Sequence, residues 1–121
     1  MKQKVHSVSY LARAEFALKT GVYDLVALPT GAEVVKVSLE VVGDPKSGSV
    51  TVGFKDEKTE KHYFLKLESV TGENKNATSA KDYTATSDKV VVAEVKTANE
   101  TEAKGVLRVL YFLPSVIEVE Y

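Results

Sequence analysis

The stretch Leu28–Val42, LPTGAEVVKVSLEVV, decides the fold predicted for this chain. Pro29 has a fixed φ and biases Leu28 towards an extended backbone, and Gly31 can take the positive φ that a tight turn needs. After this turn, apolar and polar residues alternate, and alternate residues of a β-strand point to opposite faces. A helix here would need β-branched residues along most of its length, which is unfavourable. The stretch therefore predicts a long strand with one buried and one wet face, the buried residues being Val35, Val37, Leu39 and Val41.

The residues after this strand predict a turn and a second strand. The turn is the cluster Gly43–Gly48, which also contains Pro45. Beyond it, Val50, Val52 and Phe54 alternate with more polar or smaller residues. This pattern predicts that the second strand is the hairpin partner of Leu28–Val42.

Residues 4–19 favour strand over helix, although they contain many good helix formers. The even positions from Val8 to Leu18 are all apolar or aromatic, whereas most odd positions are polar; Leu11 and Ala17 are the exceptions. The period of two predicts one long strand or two consecutive strands.

Four more strands follow from similar alternation, at residues 22–28, 62–67, 89–96 and 106–113. The last of these is apolar on both faces, which predicts a central strand that is covered on both sides. Residues 71–88 are almost wholly polar and predict a long surface loop with a short strand near Tyr83. Such a loop is either a binding or assembly element or a simple surface excursion.

The pattern as a whole predicts an all-β fold. About eight or nine short strands are separated by Gly, Pro and polar clusters, and no helical pattern alternates with them. This is typical of an antiparallel β-sandwich, and the number of strands fits a jelly roll. The length of 121 residues predicts a single domain, residues 1–121.

Composition excludes several classes of function. The chain has no Cys, which rules out disulfides and thiolate chemistry. The 16 basic and 17 acidic residues give a net charge of -1, which offers no electrostatic argument for nucleic acid or for an anionic membrane surface. No apolar run reaches the roughly 20 residues of a membrane span. The N-terminus has a basic start without a continuous apolar core, so we expect it to be mature protein and not a signal peptide.

The sequence contains no motif for catalysis or ligand binding. His6 and His62 have no further ligand at a useful same-face spacing, which favours ordinary surface histidines. The acidic residues Asp56, Glu57 and Glu60 alternate with lysines and lack the spacing of a calcium loop. We therefore predict no catalytic residues, no metal, no cofactor and no enzymatic activity.

The C-terminal run is the best candidate for an interaction surface. Together with the doubly apolar strand before it, we expect it to hold more apolar surface than one small core can bury, and excess apolar surface at a terminus often marks a subunit interface. The alternative is a last strand that closes the sandwich, and both descriptions are compatible. The candidate interface residues are Tyr111, Phe112, Leu113, Val116, Ile117, Val119 and Tyr121.

The order and texture of these elements resemble small all-β virion proteins of tailed bacteriophages and prophages, of the head-decoration, head-fibre or tail-associated type. The resemblance is carried by DLVALPTGAEVVKVSLEVV (24–42), SVTVGF (49–54), Tyr63-Phe64-Leu65 and GVLRVLY (105–111). It implies a structural subunit of the virion, made in the host bacterial cytoplasm. Its implied partners are other proteins, through homo-oligomers and a capsid or tail lattice, without nucleic acid or membrane.

A second hypothesis is a carbohydrate-binding β-sandwich. Such modules present exposed aromatic rings to sugars, and this chain has no Trp. The candidate rings are Tyr10, Tyr23 and Tyr83.

Overall fold

A computed structural model describes residues 1–43, 45, 47–55, 63–67, 69, 76–96, 98, 103–114 and 116–120. The described residues form eleven strands and every pairing between them is antiparallel. The strands are β1 (Lys2–His6), β2 (Ser9–Ala17), β3 (Gly21–Leu28), β4 (Glu33–Val42), β5 (Ser49–Phe54), β6 (Leu65–Leu67), β7 (Asn76–Ser79), β8 (Tyr83–Thr84), β9 (Lys89–Lys96), β10 (Lys104–Phe112) and β11 (Val116–Glu120).

Nine of these strands form two sheets that enclose the core. One sheet has the order β2-β10-β4-β7, with β8 also paired to β4, and the other has the order β3-β9-β5-β6. Strands that follow one another in the chain alternate between the sheets at β2–β3, β4–β5 and β9–β10. This interleaving is the strand order of a jelly roll, and it confirms the predicted all-β sandwich.

The strand β4 follows the predicted alternation except at its start. Val37, Leu39 and Val41 are buried, as predicted. Val35 is only half-buried, and Val34 is fully buried in its place. The reason is a β-bulge: β10 pairs Leu110 with Lys36 and Tyr111 with Val34, so Val35 is the extra residue and the faces exchange.

The predicted hairpin between β4 and β5 is wrong. The strand β5 pairs with β6 and β9 in the opposite sheet, while β4 pairs with β10, β7 and β8. Gly43 and Gly48 have φ of 107° and 124° and allow the connection to turn from one sheet to the other. The buried faces of β4 and β5 therefore belong to opposite sheets of the sandwich instead of lying side by side.

Residues 4–19 form two consecutive strands, β1 and β2, which was one of the two predicted outcomes. The predicted loop at 71–88 is in part wrong, because residues 76–79 form β7 against the edge of β4. The short strand near Tyr83 is confirmed as β8. An available sheet edge supplies backbone hydrogen bonds whatever the side chains are, so a polar segment can pair there. Residues 71–75 lie outside the described part of the chain.

The remaining core strands largely follow their patterns. Val91, Ala93 and Val95 of β9 are buried, while β6 begins only at Leu65, later than predicted. The strand β10 is central, between β2 and β4, and its inward residues Leu107, Val109 and Tyr111 belong to the core. On its outward face Val106 is only 1% exposed, so β10 is covered on both sides there, as predicted.

Candidate functional site

The predicted C-terminal interface is divided between the core and a terminal element. Tyr111 is 8% exposed and packs in the core of its own chain, and Phe112 and Leu113 are half-buried. Val116, Ile117 and Val119 lie in β11, and Tyr121 lies outside the described residues. Tyr111 is therefore a core residue of its own chain, and an interface role for the other residues stays a prediction.

The strands β1 and β11 form a separate two-stranded sheet, which we call the terminal ribbon. Its register places Lys2 opposite Glu120 and Lys4 opposite Glu118. The Nζ atom of Lys2 also lies 3.7 Å from Oε1 of Glu118, and both side chains are more than half exposed. One strand of the ribbon is therefore basic, and the other is acidic.

The terminal ribbon continues the β2–β10 pair beyond the end of the sandwich. At the junction, the N–H of Leu113 donates to the carbonyl of Val8 at 2.8 Å, and Nδ1 of His6 lies 2.9 Å from the carbonyl oxygen of Leu113. The strand β4, which flanks β10 within the sandwich, begins only at Glu33, opposite Phe112. Among the strands that the structure describes, β1 and β11 therefore pair only with each other.

A group of exposed apolar residues lies at the N-terminal end of the chain. Among the residues whose side chains the structure describes, six of the seven exposed large apolar residues lie within residues 1–22. Tyr10 and Leu11 lie on β2 and Val22 lies on β3, which are edge strands of the two sheets, while Val5 lies on β1. We call these residues the N-terminal apolar set: Met1, Val5, Val8, Tyr10, Leu11 and Val22.

Sequence reasoning missed these exposed residues, although the sequence contained one signal of them. Leu11 broke the alternation of residues 4–19, and the structure places it on the outward face of β2 with 63% of its surface exposed. There it lines a groove of about 280 Å³ together with Leu110, Lys36, Ser38 and Arg108. The Nη1 atom of Arg108 is held 3.1 Å from Oε1 of Glu40. A groove with a leucine at its rim and a paired arginine suits protein contact better than catalysis.

The three tyrosines considered for sugar binding do not form one platform. Tyr10 is 52% exposed, with its ring edge-on to Tyr111 at 5.9 Å between centroids. Tyr23 packs against Phe16 and donates its hydroxyl to the carbonyl of Lys19. Tyr83 is half-buried against Phe54, at 4.6 Å between centroids. Only Tyr10 therefore presents a largely exposed ring.

Two carboxylates have lowered pKa values, and both have structural partners. The pKa of Glu15 is lowered by hydrogen bonds first from Arg13 and then from Lys104. The pKa of Asp88 is lowered by the backbone N–H of Thr30 and then by the hydroxyl of Thr30, each 2.9 Å away. Both carboxylates tie together strands or turns that are distant in sequence.

The described residues contain no group of three or more His, Asp or Glu placed to hold a metal ion. His6 is engaged at the base of the terminal ribbon, and His62, Asp56, Glu57 and Glu60 lie outside the described residues. Within the same part of the chain, no helix is long and apolar enough to cross a membrane.

A jelly-roll sandwich with open, apolar strand edges is an architecture used by viral capsid domains. No family model and no curated protein sequence matches this chain. Solved structures do match. One is a chain of the acid-stable capsid of Helicobacter pylori bacteriophage KHP30, with 70% sequence identity, full coverage of both chains and a TM-score of 0.92.

Two more distant capsid structures share the fold. A chain of the cyanophage Pam1 capsid matches with a TM-score of 0.64 and 21% identity, over 88% of this chain and 85% of the other. A chain of the Ralstonia phage GP4 capsid matches with a TM-score of 0.63 and 15% identity, over 92% and 88%. On the identity with the KHP30 chain, this protein belongs to the bacteriophage capsid proteins and is a structural component of the virion. The suggested resemblance to phage virion proteins is confirmed.

Proposed function

We propose that the protein is a non-enzymatic subunit that self-associates and binds the repeated protein lattice of a bacteriophage capsid. The observation that carries this proposal is the N-terminal apolar set, whose members are exposed instead of buried in the core; Tyr10 and Leu11 lie on the edge strand β2 and Val22 on the edge strand β3. Apolar side chains exposed together on strand edges are typical of protein interfaces.

A lattice partner fits this surface better than a small ligand. In the groove beside Leu11, the charged side chain of Arg108 from β10 is already paired with Glu40. The wider depression beside Phe16 and Tyr23 is lined by Asp24 and Lys55, whose charged atoms lie 2.6 Å apart. These two ion pairs neutralise part of the charge at both sites, whereas an active site presents polar groups that converge on a reacting atom.

The lattice claim is tested with capsid shells of the phage that lack this protein. Purified chain is mixed with the shells, and the bound fraction is measured by co-sedimentation. The wild type should bind in a saturable manner. Leu11→Glu places a charge in the proposed interface and should weaken binding by about tenfold or more.

Val42→Glu is the matched control, because Val42 is an exposed large apolar residue that lies outside the N-terminal apolar set. It should bind like the wild type. A wild type that does not bind the shells would refute lattice binding. Equal binding by Leu11→Glu would show that another surface makes the contact.

A further inference from the structure

We propose that the terminal ribbon joins copies of this chain head to tail, with the acidic strand β11 of one copy pairing along the basic strand β1 of the next. The inference deepens the self-association in the proposed function, and it rests on that part. It specifies that the partner is a second copy of this chain, that the strands in contact are β1 and β11, and that the contact is head to tail.

The first argument is the open hydrogen-bonding edge of the ribbon. A two-stranded antiparallel sheet in water is marginally stable by itself and gains stability from a third strand. In the described part of the chain, neither β1 nor β11 has such a neighbour. The unpaired edge of β1 is continuous with that of the edge strand β2, and both can accept a strand by β-augmentation.

The second argument is charge complementarity, which selects the occupant. Pairing β1 with β1 of another copy would join two basic strands, and pairing β11 with β11 would join two acidic strands. Like charges on adjacent strands are destabilising, and opposite charges are stabilising. Only β1 with β11 of another copy repeats the Lys–Glu pairing that exists within the chain.

The head-to-tail arrangement of the copies follows from this choice of strands. A contact between different strands of two identical chains is heterologous, so each copy offers one free β1 and one free β11 edge. Such a contact either closes into a ring or continues along a lattice. Both outcomes suit a subunit that is repeated over a capsid.

The test is a ribbon swap, Lys2→Glu/Lys4→Glu/Glu118→Lys/Glu120→Lys. It keeps the net charge and preserves opposite charges both within the chain and between two swapped copies. Swapped copies should therefore self-associate like the wild type. In a mixture, a swapped β1 would face a wild-type β11 of the same sign, so exchange of subunits with the wild type should fall by about tenfold or more.

Subunit exchange is followed by native mass spectrometry, with the two species distinguished by isotope labelling. The matched control exchanges the charges of an exposed pair outside the ribbon, Asp24→Lys/Lys55→Asp, and should mix freely with the wild type. Circular dichroism and the melting temperature verify that every variant has folded.

Two half-swapped variants complete the test. Lys2→Glu/Lys4→Glu has two acidic strands, and Glu118→Lys/Glu120→Lys has two basic ones. Each should lose self-association alone, because like charges then face each other both within and between copies. An equimolar mixture restores opposite charges between copies and should regain part of the self-association. A wild-type oligomer whose swapped form mixes freely would refute the ribbon contact and leave self-association standing. A wild type that stays monomeric at high concentration would refute both, while lattice binding is decided separately by the shell assay.

Discussion

Gly105→Ala tests how closely the edge strand β2 is packed onto the central strand β10. Gly105 lies opposite Phe16 in the pairing of these strands. A Cβ atom at position 105 would lie 2.3 Å from Cζ, 2.6 Å from Cε1 and 2.8 Å from Cε2 of the Phe16 ring. These distances are far below van der Waals contact, so the ring would have to move.

Movement of the Phe16 ring would cost packing energy. Phe16 is 6% exposed, and Tyr23 packs against it at 5.5 Å between ring centroids. Overpacking of this kind costs about 1–3 kcal/mol. Replacing a strand glycine with alanine recovers about 0.5–1 kcal/mol of backbone entropy. We therefore expect the free energy of unfolding to fall by about 1–2 kcal/mol, within the range of these two effects.

The expected shift in melting temperature follows from the size of the chain. At about 2.1 cal/mol/K per residue, the unfolding entropy of 121 residues is roughly 0.25 kcal/mol/K, so each kcal/mol lowers the melting temperature by about 4 °C. Gly105→Ala should therefore melt about 4–8 °C below the wild type. Urea denaturation gives the free energy directly.

A double-mutant cycle with Phe16→Leu isolates the clash. In the Phe16→Leu background the new methyl group has room, so Gly105→Ala should cost less than about 0.5 kcal/mol or should stabilise the protein. Equal costs in both backgrounds would show that the ring contact is not the cause, and the packing argument would then be wrong.

Three further changes test other parts of the fold. Asp88→Asn removes the carboxylate that accepts hydrogen bonds from Thr30. The pKa of this carboxyl is lowered in the folded state. Its contribution to the free energy of unfolding is therefore present above the ordinary pKa of 3.8 and is lost as the pH falls below that value. Melting curves over a pH series should therefore show a wild-type advantage that shrinks on acidification, and an advantage independent of pH would contradict this. Gly31→Ala should destabilise by about 1–3 kcal/mol, because φ is 88° and the new Cβ would lie 2.8 Å from Cβ of Pro114; urea unfolding with an unchanged midpoint would count against it. Phe54→Ala should cost about 3–5 kcal/mol in the same assay, since Phe54 is fully buried, and a loss below about 1 kcal/mol would show that its ring cluster is loosely packed.

The two sets of candidate interface residues illustrate a limit of sequence reasoning. The C-terminal run drew attention because it is densely apolar, yet Tyr111 is buried in its own chain. An exposed apolar set lies at the N-terminus, where Leu11 appeared only as an exception to an alternating pattern. Composition along the chain does not reveal which apolar residues a core will reach. The pairing of β1 with β11 brings Val5 of the N-terminal apolar set into one structural element with Val116, Ile117 and Val119 of the C-terminal run.

The loop prediction was wrong at residues 76–79 for a related reason. Residues 76–79 have no apolar periodicity, and their strand exists because β4 offers a free edge. The same limit applies to Val35, whose exposure depends on a bulge against β10. Both features depend on a neighbouring strand that local sequence does not specify.

The sequence by itself determined the all-β class, most strand positions and most inward faces, because alternation of side chains along a strand is a local property. It also indicated the kind of protein, through the order and texture of its strands. The tertiary structure alone decided that β4 and β5 lie in opposite sheets and that the termini pair as a ribbon. Two consecutive strands can bury their apolar faces equally well as neighbours in one sheet or as members of the two opposite sheets. The choice between these arrangements depends on how the whole chain closes around one core, which no single stretch encodes.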